Sequence, residues 1–405
     1  MTATRVEKLI LMIATVMIFL NLTIYLPFAG LFPFPAYLLD LMIFILVISY
    51  YIFKGITIPY NNVIIFWLLY YTIINIVYFL ISPAGPDEFR FIKLFFFFFF
   101  MIFSLILLFN LDDNDLSVTR KTLVFLVPVT TFMLGVDYFN PGYFYFGKET
   151  TTFVMGRAAA TYLNANLAAG AMVLFLILGI DMIPKKYRII FILLVFMGIF
   201  FTMSRSNIMI MFIILMIMFF QKKLYGSHLL ITFTVIITFF IWLATGGLDV
   251  LSENYDLKVT ENMKSRVDFF ADNKESDTGD MDERKYILKE AFEMFQSNPI
   301  FGAGYSSTRL WNHRVSPHNT FIMNWADYGL FGILIIPLLI YLSCYYIFRF
   351  GKKEYKHMAI LISIYFIFSS FFSHNMLETP FQLASMILLS SLGLKAKREN
   401  EKVIK

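Results

Sequence analysis

Apolar runs about 20 residues long, the length of one bilayer crossing, recur through this chain with few interruptions. Only a helix can use such a run in hydrocarbon, because every backbone N–H and C=O must find its partner inside the segment. The runs fall near 9–28, 36–53, 62–81, 91–110, 121–138, 159–182, 188–203, 206–220, 228–245, 319–348, 356–373 and 376–394. They predict an all-α fold, a polytopic membrane helix bundle of about 12 transmembrane helices. Composition agrees: 59% of the 405 residues are hydrophobic and 15% are charged, more apolar surface than a water-soluble chain can hide. Arg5 and Lys8 precede the first run and no small-residue cleavage site follows it, so it reads as a retained first span. Cys344 is the single cysteine, which excludes an intrachain disulfide and argues against a cysteine metal site.

The net charge of +5 reports orientation rather than a nucleic-acid partner. Basic residues cluster at helix ends, as in Lys185-Lys186, Lys222-Lys223 and Lys352-Lys353, and the inside-positive bias puts those ends and both termini in the cytoplasm. Arg157, Arg205, Arg284, His318 and His374 then all fall on the outer side. Residues 1–245 carry helices one to nine, 246–317 form a large outer (extracytoplasmic) loop between helices 9 and 10, and 318–405 carry the last three helices and a cytoplasmic tail. Within the loop, Ile287, Leu288, Ala291, Phe292 and Phe295 recur at helical spacing. They predict an amphipathic helix near 282–297, stopped by Asn298-Pro299, on the outer leaflet or packed over the bundle mouth.

The residues suited to chemistry sit at this outer rim. His318 lies between Pro317, which fixes the backbone, and Asn319, whose amide can orient the ring or a substrate, just where the chain enters a membrane helix. A neutral imidazole there can accept a proton from a sugar hydroxyl attacking an anomeric carbon. The run 319–348 is longer than a straight crossing needs, which leaves open one tilted helix or a break at Gly329, Gly332 or Pro337. Arg157 in GRAAATYLNANLAAG and Arg205 in SRSN lie beside helices with little loop around them. Their planar forks suit a diphosphate, while interfacial snorkelling is the competing account. Arg284 opens the amphipathic segment, where an exposed helix face explains it as well. Asp327 is nine residues past His318; His374 and Glu378 are one helical turn apart, which local structure explains. Gly302-Ala303-Gly304 lacks the context of a phosphate loop, and the sequence contains no metal constellation, nucleotide motif or Ser-His-Asp pattern of any specificity.

Taken in order, GRAAATYLNANLAAG, then FTMSRSN ahead of a helix, then an Arg-led amphipathic segment closing in NPIFGAG, then PHNTF and DYGLFG, resemble the O-antigen ligase and O-antigen polymerase superfamily of bacterial envelope glycosyltransferases. The similarity spans about residues 150 to 335. It implies a multi-pass enzyme of the bacterial inner membrane, its active site facing the periplasm or exterior. Such an enzyme moves a glycan from an undecaprenyl diphosphate-linked donor to an acceptor hydroxyl by an inverting displacement with no cofactor or metal. It further implies His318 as the acceptor-side base and Arg157, Arg205 and Arg284 as the diphosphate site; Asn319, Asn166, Asp327 and His374 are candidate substrate-orienting residues beside them. The acceptor is a second lipid-linked glycan in a polymerase or lipid A-core in a ligase; a chain-length regulator is a further partner, and membrane lipid surrounds all of them. Ligases often carry HxHN at the histidine, whereas Ser316 stands at the first position here, and NPIFGAG is similar to polymerase-like members; the polymerase reading is preferred. From another class, a lipid-linked oligosaccharide flippase shares the twelve-span layout, but transporters show repeat-related halves and this chain loads its polar groups at one rim beside one asymmetric loop.

Overall fold

The structure, a computed structural model, describes residues 5–53, 61–81, 102, 104, 106, 115–148, 155–242, 245, 280–305, 307–310, 316–373 and 376–404. Every long element among them is helical. In chain order these are α1 (Arg5–Phe19), α2 (Leu22–Ala29), α3 (Ala36–Phe53), α4 (Asn62–Ile81), α5 (Asp115–Phe139), α6 (Ala165–Gly179) and α7 (Arg188–Phe201). There follow α8 (Arg205–Phe220), α9 (Gly226–Trp242), α10 (Asp280–Ser297), α11 (Ser307–Leu310), α12 (Thr320–Phe350), α13 (Lys353–Phe372) and α14 (Pro380–Ile404).

Five described helices are long and apolar enough to cross a membrane, or six when the pair α1 and α2, bent by 66°, counts as one broken span. The expected twelve therefore exceed what these residues support. The predicted spans at 188–203, 206–220 and 228–245 correspond to α7, α8 and α9, with 14, 16 and 17 residues. Fourteen residues rise only about 21 Å, short of the roughly 30 Å of hydrocarbon in a typical bilayer. The span expected at 159–182 becomes α-helical only from Ala165, after a 3-10 turn at Ala160–Tyr162, and most of the one expected at 91–110 lies outside the described residues, as does the loop 246–279.

The chain divides into two compact units, one drawn from Met1–Ala14, Pro33–Val118 and Thr278–Lys405, the other from Thr15–Phe32 and Thr119–Asp277. In the first, α12 packs against α4, α10, α13 and α14. Its contact with α14 follows the logic of membrane packing, where small residues let backbones approach because lipid removes the hydrophobic incentive. A Cβ on Gly393 of α14 would sit 2.8 Å from the Ile347 amide nitrogen, and Ala384, Ser385, Ser390 and Ser391 are buried along the same helix. Amphipathic α10 buries Ile287 and Ala291 and sets Phe295 against Trp325 of α12, ring centroids 5.7 Å apart.

The length of the run 319–348 is resolved by a break at Gly329, where φ is 58° and ψ −138°. The segment after α10 locks into it. Ala303 N–H donates to the Ala326 carbonyl at 2.7 Å and Gly304 N–H to the Asp327 carbonyl at 3.0 Å, while Leu330 N–H donates to the Ile300 carbonyl at 3.1 Å. A broken helix leaves carbonyls that cannot remain bare in an apolar interior. The Tyr328 carbonyl, cut off by the break, accepts from Tyr78 Oη at 3.0 Å, and Tyr328 Oη in turn donates to Asn75 Oδ1 at 3.0 Å. Farther along α12, Tyr70 and Trp67 of α4 donate to the carbonyls of Phe331 and Ile335.

In the second unit α6 is the axis, with nearly every residue from Ala168 to Gly179 buried and α7 and α8 packed on it. Its first half, ANLAAGAM, is poor in bulk and so admits close neighbours. The break between α1 and α2 is satisfied as the one in α12 is: Tyr162 Oη donates to the Phe19 carbonyl at 2.6 Å, and Asn21, itself at φ 56°, donates to the Thr161 carbonyl at 3.3 Å.

Candidate functional site

One group of candidate residues gathers where α6 and α8 begin, in the second unit. Asn164 is extended and its Oδ1 accepts from the Asn166 and Leu167 amides at 2.9 and 3.3 Å, an N-cap that starts α6. The α7–α8 turn is three residues, Thr202 to Ser204, with Met203 at φ 50°. Asn166 joins the two helix starts: its Oδ1 accepts from Ser204 Oγ at 2.9 Å and its carbonyl accepts from Asn207 Nδ2 at 3.2 Å, while Asn207 Nδ2 also donates to Ser204 Oγ at 2.9 Å. Arg157 enters this ring. Its Nη2 donates to Asn166 Oδ1 at 2.7 Å and its Nε to the Thr202 carbonyl at 3.1 Å, which fixes the plane of the guanidinium. Arg205 is the first residue of α8, and both arginines are half-buried. Two helix N-termini, each equivalent to roughly half a positive charge, therefore converge with two guanidinium-bearing residues, an arrangement suited to an anion.

Asp137 supports this end from beneath. Buried in the last turn of α5, it accepts through Oδ2 from the Ala159 and Ala160 amides at 2.8 and 2.9 Å, which ties them to α5 ahead of the short 3-10 turn Ala160–Tyr162 and keeps them out of α6. Asp137→Ala strips the acceptor from two buried amides and should cost on the order of 2–5 kcal/mol. The check is the melting temperature of the solubilised protein, which an unimportant contact would leave unchanged.

The second group belongs to the first unit. His318 is half-buried in a bend between buried Pro317 and Asn319. Asn319 is the N-cap of α12, its Oδ1 accepting from the Ile322 amide at 3.0 Å, so its acceptor holds the helix start and thereby the backbone of His318. Thr320, the first residue of α12, donates through Oγ1 to the Ser373 carbonyl of the segment after α13. Asp327 is buried and its Oδ1 accepts from both the amide and the hydroxyl of Thr308, each at 2.9 Å. That carboxylate oxygen straps α11 to α12. The side chain of Arg284 and the whole of His374 lie outside the described residues. Among the described residues, no three His, Cys, Asp or Glu side chains gather within reach of one metal ion.

Reading the sequence passed over Ser204, Asn207 and Asp137. The first two look like ordinary helix-start residues, and only the fold shows them meeting Asn166. Asp137 carried a usable signal: an ionisable residue inside an apolar run is costly unless partnered.

The chain matches no curated protein. Residues 189–336 match the Wzy_C family model, described as O-antigen ligase; Arg205, Arg284, His318, Asn319 and Asp327 lie inside that stretch, whereas Arg157 and Asn166 precede it. This match covers less than half of the chain; it supports the O-antigen ligase and O-antigen polymerase superfamily that the motifs read above resemble, and the long apolar helices agree with it.

Proposed function

We propose that this protein is a membrane glycosyltransferase that moves a glycan from undecaprenyl diphosphate to an acceptor sugar hydroxyl on the outer face of the inner membrane, polymerising lipid-linked repeat units of a surface polysaccharide. The observation that carries the reading is the union of the α6 and α8 starts with Arg157 through Asn166, Ser204 and Asn207. A diphosphate leaving group gains charge as the glycosidic bond breaks, and oriented guanidinium and amide donors stabilise that charge without further reorganisation. His318 takes the proton from the acceptor hydroxyl as its oxygen bonds to the anomeric carbon; the carbon–oxygen bond to the diphosphate breaks and undecaprenyl diphosphate departs. On the family resemblance alone, Arg284 is a third candidate for binding the diphosphate. Metal is not required, since the arginines neutralise the leaving group, and turnover is expected to persist in excess chelator.

Purified protein given an undecaprenyl diphosphate-linked repeat unit should yield longer lipid-linked glycans. If glycosylated lipid A-core forms instead when that acceptor is supplied, the ligase reading replaces the polymerase one; no product with either acceptor ends both. Ser316, at the first position of the ligase-like HxHN pattern, is the reason for preferring the polymerase. Arg205→Lys keeps the charge and loses the planar fork, so product formation should fall by about 10- to 100-fold. Wild-type rates in that variant would show that Arg205 acts only as a surface charge.

A further inference from the structure

The opposite end of α6 carries a second concentration of charge. Asp181, just past α6, forms an ion pair with Lys223 at 2.6 Å and lies 3.9 Å from Arg188 and 3.8 Å from Arg120. Arg188 and Lys223 are 7% and 6% exposed. Arg188 also donates to the carbonyls of Ile183 and Lys223 at 3.0 and 2.5 Å, and Arg120 donates to the Leu178 carbonyl at 2.8 Å. These bonds fasten the ends of α5, α6, α7 and α8 to one another. They do not balance the charge, because among the described residues Arg188 and Lys223 share the single carboxylate of Asp181. Burial pushes the Lys223 ammonium below its ordinary range, against the pull of Asp181 beside it. A buried excess of positive charge is expensive unless an anion completes it.

The surroundings indicate where that anion comes from. Tyr187 and Tyr225 flank the cluster, both about half exposed, with Lys186 4.6 Å from the first ring and Lys185 5.5 Å from the second. Exposed tyrosines beside lysines mark the headgroup level of a bilayer. His228 stacks edge-on to Tyr225, ring centroids 5.1 Å apart, and its Nδ1 is buried without a hydrogen-bond partner. The basic character of this end assigns it to the cytoplasmic leaflet.

We propose that the Arg188–Lys223 pair, with Arg120 and His228 beside it, is a binding site for the phosphodiester headgroup of an anionic phospholipid in the cytoplasmic leaflet. A phosphodiester carries one negative charge and several acceptor oxygens, which suits a site where cations outnumber the one carboxylate of Asp181 and N–H donors are at hand. The site is about 22 Å, the length of α6, from the Arg157 end, so it is separate from the diphosphate chemistry. An ordered lipid there ties four helix ends together.

Asp181 allows the proposal to be separated from a purely internal ion lock. Full-length protein, delipidated in detergent, is titrated with phosphatidylglycerol, phosphatidylcholine or inorganic phosphate, and bound ligand is counted by native mass spectrometry alongside the melting temperature. Phosphatidylglycerol should bind at least about tenfold more tightly than phosphatidylcholine and raise the melting temperature. Lys223→Gln should weaken phosphatidylglycerol about five- to tenfold, whereas Asp181→Asn, which removes the internal competitor, should strengthen it. Inorganic phosphate displacing the lipid would identify the shared phosphate chemistry, with free phosphate as an alternative occupant. Equal binding of the two lipids to the wild-type protein overturns the proposal, whether or not the variants fold. So does loss of selectivity in Lys185→Gln/Lys186→Gln with retention in Lys223→Gln, which would reduce the effect to surface attraction.

Discussion

His318→Ala should abolish glycan transfer, lowering turnover by about 10²- to 10⁴-fold, the usual contribution of a positioned general base, while the protein still folds. The imidazole is half-buried, and the backbone that carries it is held by groups the substitution leaves intact: Pro317 before it, the Asn319 cap on Ile322 after it and the Thr320 hydroxyl on Ser373. His318→Gln distinguishes two roles for the ring. Glutamine can donate and accept hydrogen bonds but cannot hold a proton at neutral pH, so a base is lost with glutamine as with alanine, whereas a group that only positions the acceptor would be partly rescued. Full turnover in the alanine variant, in an assay where wild-type protein makes product, would remove His318 from the chemistry.

Gly329→Ala and Gly302→Ala should be among the most destabilising alanine substitutions in the chain, by about 3–5 kcal/mol each. Both glycines have positive φ, 58° and 69°, and each faces the other's backbone: a Cβ on Gly329 would lie 2.5 Å from the Gly302 nitrogen and the Ile300 carbonyl oxygen, and one on Gly302 would lie 2.5 Å from the Gly329 nitrogen and the Asp327 carbonyl oxygen. Neither contact can be relieved by turning a side chain, because backbone stands on both sides. Gly147 supplies the control. It has φ 72° with nothing within 4 Å of a built Cβ, so Gly147→Ala isolates the backbone term, about 1 kcal/mol. Melting temperatures should fall in the order Gly147→Ala, Gly302→Ala, Gly329→Ala, with the last lowest because its ψ of −138° lies in a region that is nearly glycine-only. Similar shifts for all three would mean that the interlock of Ala303 and Gly304 with Ala326 and Asp327 is not tightly packed. Such variants should also lose transfer activity, since this interlock and the Thr308–Asp327 strap anchor both chain segments flanking the PHN histidine.

The two breaks in otherwise apolar helices share one physical basis. At Phe19 and at Tyr328 a carbonyl loses its helical donor, and in each case a tyrosine hydroxyl from a distant segment replaces it. In hydrocarbon an unsatisfied carbonyl costs several kcal/mol, so these tyrosines hold the breaks open. The break in α12 leaves the Ala326 and Asp327 carbonyls to the GAG turn, and the break between α1 and α2 is where Thr161 and Tyr162 of GRAAATYLN attach.

What the chain alone determines is its medium and its chemical inventory. Hydropathy is a sum over about 20 neighbouring residues, so membrane helices, the amphipathic segment realised as Asp280–Ser297 and the outlying polar motifs are all visible without a fold. The matched stretch 189–336 agrees with the superfamily those motifs resemble. Helix number was less accessible, because apolar length does not say where a helix starts: residues 159–164 are apolar enough to extend α6, yet Asp137, 22 residues earlier, holds the Ala159 and Ala160 amides out of it. The same distinction governs the choice among Gly329, Gly332 and Pro337. All three weaken a helix locally, but only Gly329 meets Gly302 and has Tyr78 to take the severed carbonyl. The ring of Asn166, Ser204 and Asn207, and the crowding of Arg188 and Lys223 on one aspartate, likewise depend on residues far apart in sequence. Partners brought together only by packing leave no periodic trace along the chain, and that is why tertiary structure alone decided them.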